Sequence, residues 1–174
     1  MYWIGSETMM TNREMASVLF NVATLLKDKD ENPYRVRAYM NAARALMRRK
    51  DDVAAVIGSG QKLKHRKGVL GDRLQNRLRE LVETGDLELI HDLCADLPPH
   101  IEELMRVPGI GPRTADLLHK ALDVDTAEQL VRAARNHKVR TVWGFGAKRE
   151  QNIAQLSLFE DAWMNEPTQL QMAA

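Results

Sequence analysis

Two stretches of this chain repeat one pattern: R-V-P-G-I-G-P-R-T-A-D-L-L at residues 106–118 and T-V-W-G-F-G-A-K-R-E-Q-N-I at residues 141–153. Each predicts the end of one helix, a tight turn of glycine, an apolar residue and glycine, and the start of a second helix. Glycine allows a positive φ and lets the backbone approach a ligand closely. A plain turn between helices needs only one such glycine, so two copies of the double-glycine turn favour a binding function.

The helix that follows each turn is predicted to bind a phosphate. Backbone N–H groups at a helix N-terminus point outward with the positive end of the helix dipole, which suits an anion. Basic residues in the first helical turn add full charge: Arg113 in the first stretch, and Lys148 with Arg149 in the second. The aromatic residues of the second turn, Trp143 and Phe145, are expected to pack against the protein rather than to stack on bases.

The rest of the chain is predicted to be helical almost throughout. Apolar residues within 15–26 recur three and four positions apart, the period of an amphipathic helix. Thr11 with Glu14 predicts a capping box at its start, and Asn32 with Pro33 predicts the start of a second helix. Further helices are predicted at about 51–58, 72–84, 86–96, 99–106, 112–122 and 126–136, with a last one from about residue 147. Because alternating strand patterns are absent, the predicted fold class is all-α.

The composition excludes several classes of protein. The 174 residues are 44% hydrophobic and 28% charged, and no apolar run reaches the ~18 residues that a membrane span needs. The N-terminal segment lacks the basic start and long apolar stretch of a signal peptide. The single cysteine, Cys94, cannot form an internal disulfide and is expected to be a core residue in a reducing cytoplasm. The five histidines are scattered without metal-ligand spacing, so no zinc site is predicted.

Charge is strongly segregated along the chain although the formal net charge is only +1. Between Arg35 and Arg79 there are thirteen Lys or Arg residues and three acids, whereas residues 80–105 contain eight acids and no Lys or Arg. The acidic block is expected to be a solvated face. The density of the basic block favours a polyanion partner, with nucleic acid as the first candidate.

The two turns resemble the helix-hairpin-helix motif and, more narrowly, the N-terminal region of family X DNA polymerases. The resemblance runs from about residue 11 to 156 and includes N-R-E-M-A-S-V-L, E-N-P-Y-R-V-R-A-Y, V-E-T-G-D-L-E-L-I and D-L-P-P. It implies an 8-kDa-like helical domain at 1–85 and a tandem helix-hairpin-helix domain at 86–157, and the polar, proline-containing end at 158–174 is expected to be a flexible tail. In the family these domains bind gapped or nicked DNA, chiefly through backbone phosphates, and some carry a lyase that removes a 5′-deoxyribose phosphate.

The residues expected to contact DNA combine the turns with the positions that match the family's DNA-binding residues. Tyr39 matches by position a residue of the family's lyase pocket and is expected to stack or pack near a DNA end. The resemblance also implies a monovalent cation, K⁺ or Na⁺, on the backbone carbonyls of Met105, Val107 and Ile110, and no other cofactor. The full set for DNA is Arg35, Arg37, Tyr39, Arg73, Arg77, Gly109, Ile110, Gly111, Arg113, Thr114, Gly144, Gly146, Lys148 and Arg149.

The first hairpin departs from the family pattern. Where the family reads like L-P-G-V-G, this chain has K-G-V-L-G at residues 67–71, so the bulky Val69 replaces the first hairpin glycine. Asp72 then places a carboxylate at the helix start, where its simplest role is the N-cap. Arg73 and Arg77 remain available to contact DNA along the helix flank.

Catalysis is not expected. The family's Schiff-base lysine falls on Arg77, and a guanidinium stays charged and cannot form that adduct. Nucleotidyl transfer requires carboxylates that hold metal ions, whereas the D-V-D at Asp123–Asp125 is predicted to be a turn. The main prediction is therefore a non-catalytic, sequence-independent DNA-binding protein for repair or replication, associated with the nucleoid in the cytoplasm. A 5′-deoxyribose-phosphate lyase with a displaced lysine (Lys62, Lys64 or Lys67) and a protein-interaction adaptor are the alternatives.

The end of the last helix resembles a docking peptide. Residues Gln155, Leu156, Ser157, Leu158 and Phe159 match the pentapeptide with which bacterial polymerases and repair proteins bind the sliding clamp. In that mode an extended peptide fills apolar pockets with its leucine and phenylalanine side chains, while glutamine makes the polar contact. The alternative is that the stretch is only a helix end.

Overall fold

The computed structural model describes residues 10–65, 68–69 and 71–156, without the side chains of residues 64, 65, 68 and 69. This part of the chain is helical, which confirms the all-α class. The helices are α1 (Asn12–Asp28), α2 (Pro33–Arg48), α3 (Val53–Gly58), α4 (Asp72–Thr84), α5 (Glu88–Cys94), α6 (Pro99–Met105), α7 (Pro112–Leu122), α8 (Ala127–Arg135) and α9 (Ala147–Ala154). A 3₁₀ turn at Val139–Thr141 connects α8 toward α9.

A small antiparallel ladder that the sequence did not predict precedes α4. Its strands are β1 (Lys64–His65) and β2 (Gly68–Val69), and Lys64 pairs with Val69. Two residues are too few to show the alternation by which a strand is recognised. The stretch that corresponds to the family's first hairpin therefore contains a strand where the intact pattern has its first glycine.

The helix starts follow the predicted capping chemistry. The Thr11 hydroxyl accepts a hydrogen bond from the Glu14 N–H at 3.3 Å, and the Glu14 carboxylate accepts one from the Thr11 N–H at 2.6 Å. The Asn32 side chain accepts from the Tyr34 N–H at 2.9 Å and caps α2. Each of these bonds satisfies a backbone donor that the first turn of a helix leaves without a partner.

The hydrophobic core is continuous along the described part of the chain. Helix α1 packs against α2, α5 and α7, and its Met15, Leu19 and Leu26 are fully buried. A single cluster of buried side chains includes residues from both predicted domains, so the boundary near residue 85 stays a prediction. No helix in the described ranges is both long and apolar enough to cross a membrane.

Cys94 lies in this core, as expected. Burial raises the pKa of its thiol to about 12. Because the thiolate is the nucleophilic form of cysteine, very little of this residue is in its reactive form near neutral pH.

Candidate nucleic-acid interface

The two double-glycine turns have the same backbone conformation. Gly109 and Gly144 have φ angles of 78° and 85°, in the left-handed region that favours glycine. The second glycines cap the next helices with nearly identical angles: Gly111 at φ −101°, ψ 173°, and Gly146 at φ −100°, ψ 171°. We name the segment from α6 to α7 the middle hairpin and the segment from the 3₁₀ turn to α9 the third hairpin.

The hydrogen bonds of the two turns also match. The Ile110 N–H donates to the Val107 carbonyl at 3.1 Å, and the Phe145 N–H donates to the Val142 carbonyl at 3.0 Å. Ile110 and Phe145 are both buried and anchor their turns in the core. Within the described residues no side chain caps α7 or α9, so their first-turn N–H groups are open to an anion.

Arg149 joins the two hairpins. Its guanidinium donates a hydrogen bond to the Gly109 carbonyl at 3.0 Å and lies over the Phe145 ring, 4.4 Å from the ring centroid. A guanidinium has five N–H donors, and several remain available for a phosphate. Arg149, which is predicted to bind a phosphate, therefore also connects the third hairpin to the middle one.

Helix α1 holds the middle hairpin through residues that the sequence did not single out. The Gly109 N–H donates to the Ser17 hydroxyl at 2.8 Å, and the buried Asn21 amide donates to the Ile110 carbonyl at 3.0 Å. Arg113 forms an ion pair with Asp28 at 2.9 Å. The one available signal is Asn21, a polar residue on the otherwise apolar face of α1. Beside these contacts a groove of about 490 Å³ opens between α1, α2 and the turn.

The third hairpin is more open than the middle one. The Gly144 N–H has no acceptor within the described part of the chain, whereas the equivalent Gly109 N–H is bonded to Ser17. Lys148 is exposed, and its side chain forms no ion pair with the described residues. The expectation that Trp143 packs against the protein is wrong, because 90% of this residue is exposed; Phe145 does pack, as expected.

A buried carboxylate supports the third hairpin from below. Glu150 of α9 is 1% exposed, accepts hydrogen bonds from the Arg140 backbone N–H at 3.0 Å and from the Arg140 guanidinium, and lies 3.3 Å from His137 Nδ1. Burial raises the pKa of Glu150, but these hydrogen bonds outweigh burial and hold it below the ordinary value. The ionised carboxylate therefore ties the 3₁₀ turn to α9.

The start of α4 differs from the expected cap. Gly71 is the N-cap, and its carbonyl accepts the Gln75 N–H at 3.0 Å, so Asp72 is the first helical residue rather than the cap. Asp72 lies 3.6 Å from the Lys62 ammonium. A carboxylate at this position still complements the helix dipole without a capping bond.

The two arginines of α4 have different surroundings. Arg73 is exposed, as a DNA contact requires. Arg77 donates to the Glu80 carboxylate at 2.8 Å, and this hydrogen bond raises the pKa of the Arg77 guanidinium. At the position of the family's lysine, the chain therefore carries an arginine that stays protonated and is paired with the Glu80 carboxylate.

Helix α2 presents its basic residues but not its predicted aromatic one. Arg35 and Arg37 are exposed; Arg35 lies 3.5 Å from Glu31, and the Arg37 guanidinium lies 5.1 Å from the centroid of the Tyr34 ring. Tyr39 is 7% exposed and packs in the core, so little of its ring is accessible for stacking, and its place near a DNA end stays a prediction. Tyr34, at 76% exposure, is the accessible aromatic of this helix.

Comparison with known proteins agrees with this geometry. Residues 10–87 match the helix-hairpin-helix domain, and residues 101–155 match the SAM-like helix-hairpin-helix tandem. The chain is 28% identical over 152 residues to the DNA polymerase/3′-5′ exonuclease PolX of Bacillus subtilis (strain 168). The chain resembles the N-terminal helix-hairpin-helix region of PolX-like proteins. The match covers 84% of this chain and 25% of that relative, so the chain spans about a quarter of the relative's length.

These helix-hairpin-helix matches support DNA as the partner of the chain. The matched ranges contain α4, both double-glycine turns, α7 and α9 in full, and α6 from Ile101 onward. The tandem match includes both double-glycine turns, which are the elements with open helix N-termini.

The carbonyls expected to hold a monovalent cation are compatible with that role. The Val107 carbonyl accepts the Ile110 N–H, and the Ile110 carbonyl accepts the Asn21 amide. Each carbonyl oxygen has a second lone pair. The Val107 and Ile110 carbonyls therefore each keep one lone pair, and a K⁺ or Na⁺ held on the carbonyls of Met105, Val107 and Ile110 stays a prediction.

The fold brings two histidines together although they are far apart in sequence. The His100 and His119 rings stack with centroids 3.8 Å apart and planes 12° apart, and ligand-type atoms of both and of Asp125 lie within 4.8 Å of one another. Near-parallel rings direct their nitrogen lone pairs into separate planes, so these lone pairs do not converge on one ion. The arrangement favours a stacking contact between α6 and α7 over a metal site.

The clamp-like pentapeptide lies mostly outside the described residues. Gln155 ends α9 and is exposed, whereas Leu156 is half-buried against the core and its carbonyl accepts from Arg135 at 3.4 Å. Ser157, Leu158 and Phe159 lie outside the described residues, as does the tail at 158–174.

Proposed function

We propose that this chain is a non-catalytic DNA-binding protein that holds nicked, gapped or otherwise interrupted DNA through backbone phosphates during repair or replication. The observation that carries the proposal is the pair of hairpins with equal backbone geometry and open helix N-termini. Such termini recognise phosphate oxygens, which all sequences share, so binding is largely independent of base sequence.

We expect the two hairpins to differ in how readily they bind a phosphate. At the third hairpin, the exposed Lys148 and the open Gly144 amide are ready for a phosphate. At the middle hairpin, Arg113 is 79% exposed but paired with Asp28, so DNA must compete with that carboxylate. A phosphate next to the middle turn would also be joined by the monovalent cation on its carbonyls.

The non-catalytic part of the proposal rests on α4. Arg77 occupies the place of the Schiff-base lysine. Of the three lysines that could replace it, Lys62 is the one whose side chain the structure describes, and it is exposed beside Asp72. A lysine nucleophile is activated by burial or by a neighbouring cation, and Lys62 is instead exposed beside an acid. Borohydride trapping on a gapped abasic substrate should therefore give no covalent complex.

Recruitment by the bacterial sliding clamp is a further part of the proposal, supported by the sequence of residues 155–159 alone. Binding in the extended mode requires Leu156 to leave its half-buried position. We expect Leu158→Ala with Phe159→Ala to abolish clamp binding and to leave DNA binding unchanged. A chain that never binds the clamp, or a double variant that loses its fold, would remove this part. The resulting location is the nucleoid in the cytoplasm.

The test of DNA binding is a pair of matched charge reversals. Lys148 lies in the first turn of α9, whereas Lys120 lies near the end of α7 and pairs with Asp116 at 2.6 Å. Lys148→Glu should weaken binding to all DNA sequences alike, and Lys120→Glu should weaken it much less. Equal losses for both variants would show that net charge, not the hairpin, is responsible.

A further inference from the structure

The most exposed large hydrophobic residue in the described part of the chain is Trp143, at 90% exposure. It directly precedes Gly144 in the third hairpin and corresponds to Pro108 of the middle hairpin. Its neighbours Val142 and Phe145 are 7% and 6% exposed and anchor the turn in the core. The turn is therefore folded and anchored without any contribution from the indole.

The backbone holds Trp143 in a defined place. The Val142 N–H donates to the Val139 carbonyl at 3.0 Å and the Phe145 N–H donates to the Val142 carbonyl at 3.0 Å, so bonds close the turn on both sides of Trp143. Glu150 fixes the preceding 3₁₀ turn against α9. The backbone of the turn is thus fixed before a ligand binds, and only the two side-chain torsions of the indole have to be ordered.

The charge around this turn indicates the ligand. Lys148 and Arg149 follow Trp143 at the start of α9, whereas the guanidinium of Arg140, which precedes Trp143, is paired with the buried Glu150. Trp143 lies three residues before Gly146, the N-cap of α9, so a phosphate bound at that N-terminus would bring an adjoining nucleotide close to the turn. The charge pattern thus favours a nucleobase over an apolar protein surface as the occupant of the indole face.

We propose that Trp143 stacks on an exposed nucleobase face at a gap, nick or single-stranded segment of the bound DNA. This inference rests on the proposed function and names the residue by which the chain recognises interrupted DNA. Every base has a π face, so stacking keeps binding independent of sequence. Bases inside an intact duplex already stack on both sides, and this difference gives the chain a preference for interrupted DNA.

The experiment compares an intact duplex with the same duplex carrying a short central gap, in several base sequences. Trp143→Ala should lower affinity for the gapped DNA about tenfold and change affinity for the intact duplex by less than about twofold. Trp143→Phe should restore most of the loss. Leu117→Ala, which removes another exposed large hydrophobic side chain and lies outside the predicted DNA-binding set, is the control and should leave the preference for gapped DNA unchanged.

A fluorescence measurement identifies the contact directly. Replacing Trp3 and Trp163 with Phe leaves Trp143 as the one tryptophan of the sequence. Its emission should be quenched by gapped DNA and much less by the intact duplex, because stacking brings a base onto the indole.

The outcomes separate this inference from the proposed function. If wild type binds DNA through the hairpins but Trp143→Ala retains the preference for gapped DNA, the stacking inference alone is wrong. If Trp143→Ala weakens both DNAs equally, the indole is not a reader of exposed bases, and the inference again fails. If wild type binds none of these DNAs, the proposed function and the inference are both wrong.

Discussion

Replacing Gly144 with alanine should destabilise the third hairpin, whereas the same change at Gly146 should not. Gly144 has a φ of 85°, and a Cβ built there meets no heavy atom within 4 Å, so the cost comes from the backbone alone. An L-residue in the left-handed region costs about 1–2 kcal/mol. Gly146 has a φ of −100° and equally open space, so alanine fits there without strain.

The control is not wholly silent, because Gly146 is the N-cap of α9. Alanine is a poorer N-cap than glycine, but it also lowers the entropy of the unfolded chain, which contributes about 0.4–1 kcal/mol in favour of folding. These two effects oppose each other, and we expect a net change below about 0.5 kcal/mol for Gly146→Ala.

Thermal unfolding and DNA binding provide the assay. For a chain of this length, 1–2 kcal/mol corresponds to a fall in Tm of roughly 2–8 °C. Gly144→Ala should show that fall together with weaker DNA binding, because the turn that places Lys148 is distorted. If Gly144→Ala is as stable as wild type, or if Gly146→Ala is the more damaging change, the assignment of the strained position is wrong.

Three further predictions follow from single contacts. Glu150→Gln should lower the free energy of unfolding and weaken DNA binding by the third hairpin, since the side-chain bond to Arg140 loses its negative partner. An unchanged free energy of unfolding would contradict the role of Glu150 in holding the 3₁₀ turn to α9. Burial lowers the pKa of His91, but its bonds to Asp86 and Glu102 outweigh burial and raise this pKa above the ordinary value. Protonated His91 should therefore stabilise the folded chain fully below pH 6.5, and this contribution should disappear as the pH rises through the folded-state pKa. His91→Gln should flatten stability in that window, and a curve parallel to wild type would refute the assignment. Cys94 should resist alkylation in the folded chain at neutral pH and react on unfolding; fast labelling of the native chain would contradict its burial.

The sequence was sufficient for the helices because their ends are encoded locally. Thr11 with Glu14 and Asn32 with Pro33 are capping signals within one helical turn, and both were found where predicted. The 3₁₀ turn and the two-residue strands were missed because neither is long enough to show a period.

The environment of the site depends on contacts that are distant in sequence. Ser17 and Gly109 are 92 positions apart, and Arg113 and Asp28 are 85 apart, so no local pattern could reveal that α1 holds the middle hairpin. The sequence also could not predict the exposure of Trp143. An apolar residue close to Val142 and Phe145, which are both buried, is expected to be a core residue until the direction of its side chain is known.

Salt dependence of DNA binding tests the central claim most directly. The measurement is the equilibrium affinity for gapped DNA of several base compositions over a range of salt concentrations. If the hairpins hold backbone phosphates, log K should fall linearly with log salt, with a slope near −0.9 for each of about four to six phosphates and the same slope for every sequence. Lys148→Glu should reduce the steepness by about 0.9, and Lys120→Glu should leave it unchanged. A flat dependence, or affinity that follows base sequence, would contradict phosphate binding by the hairpins.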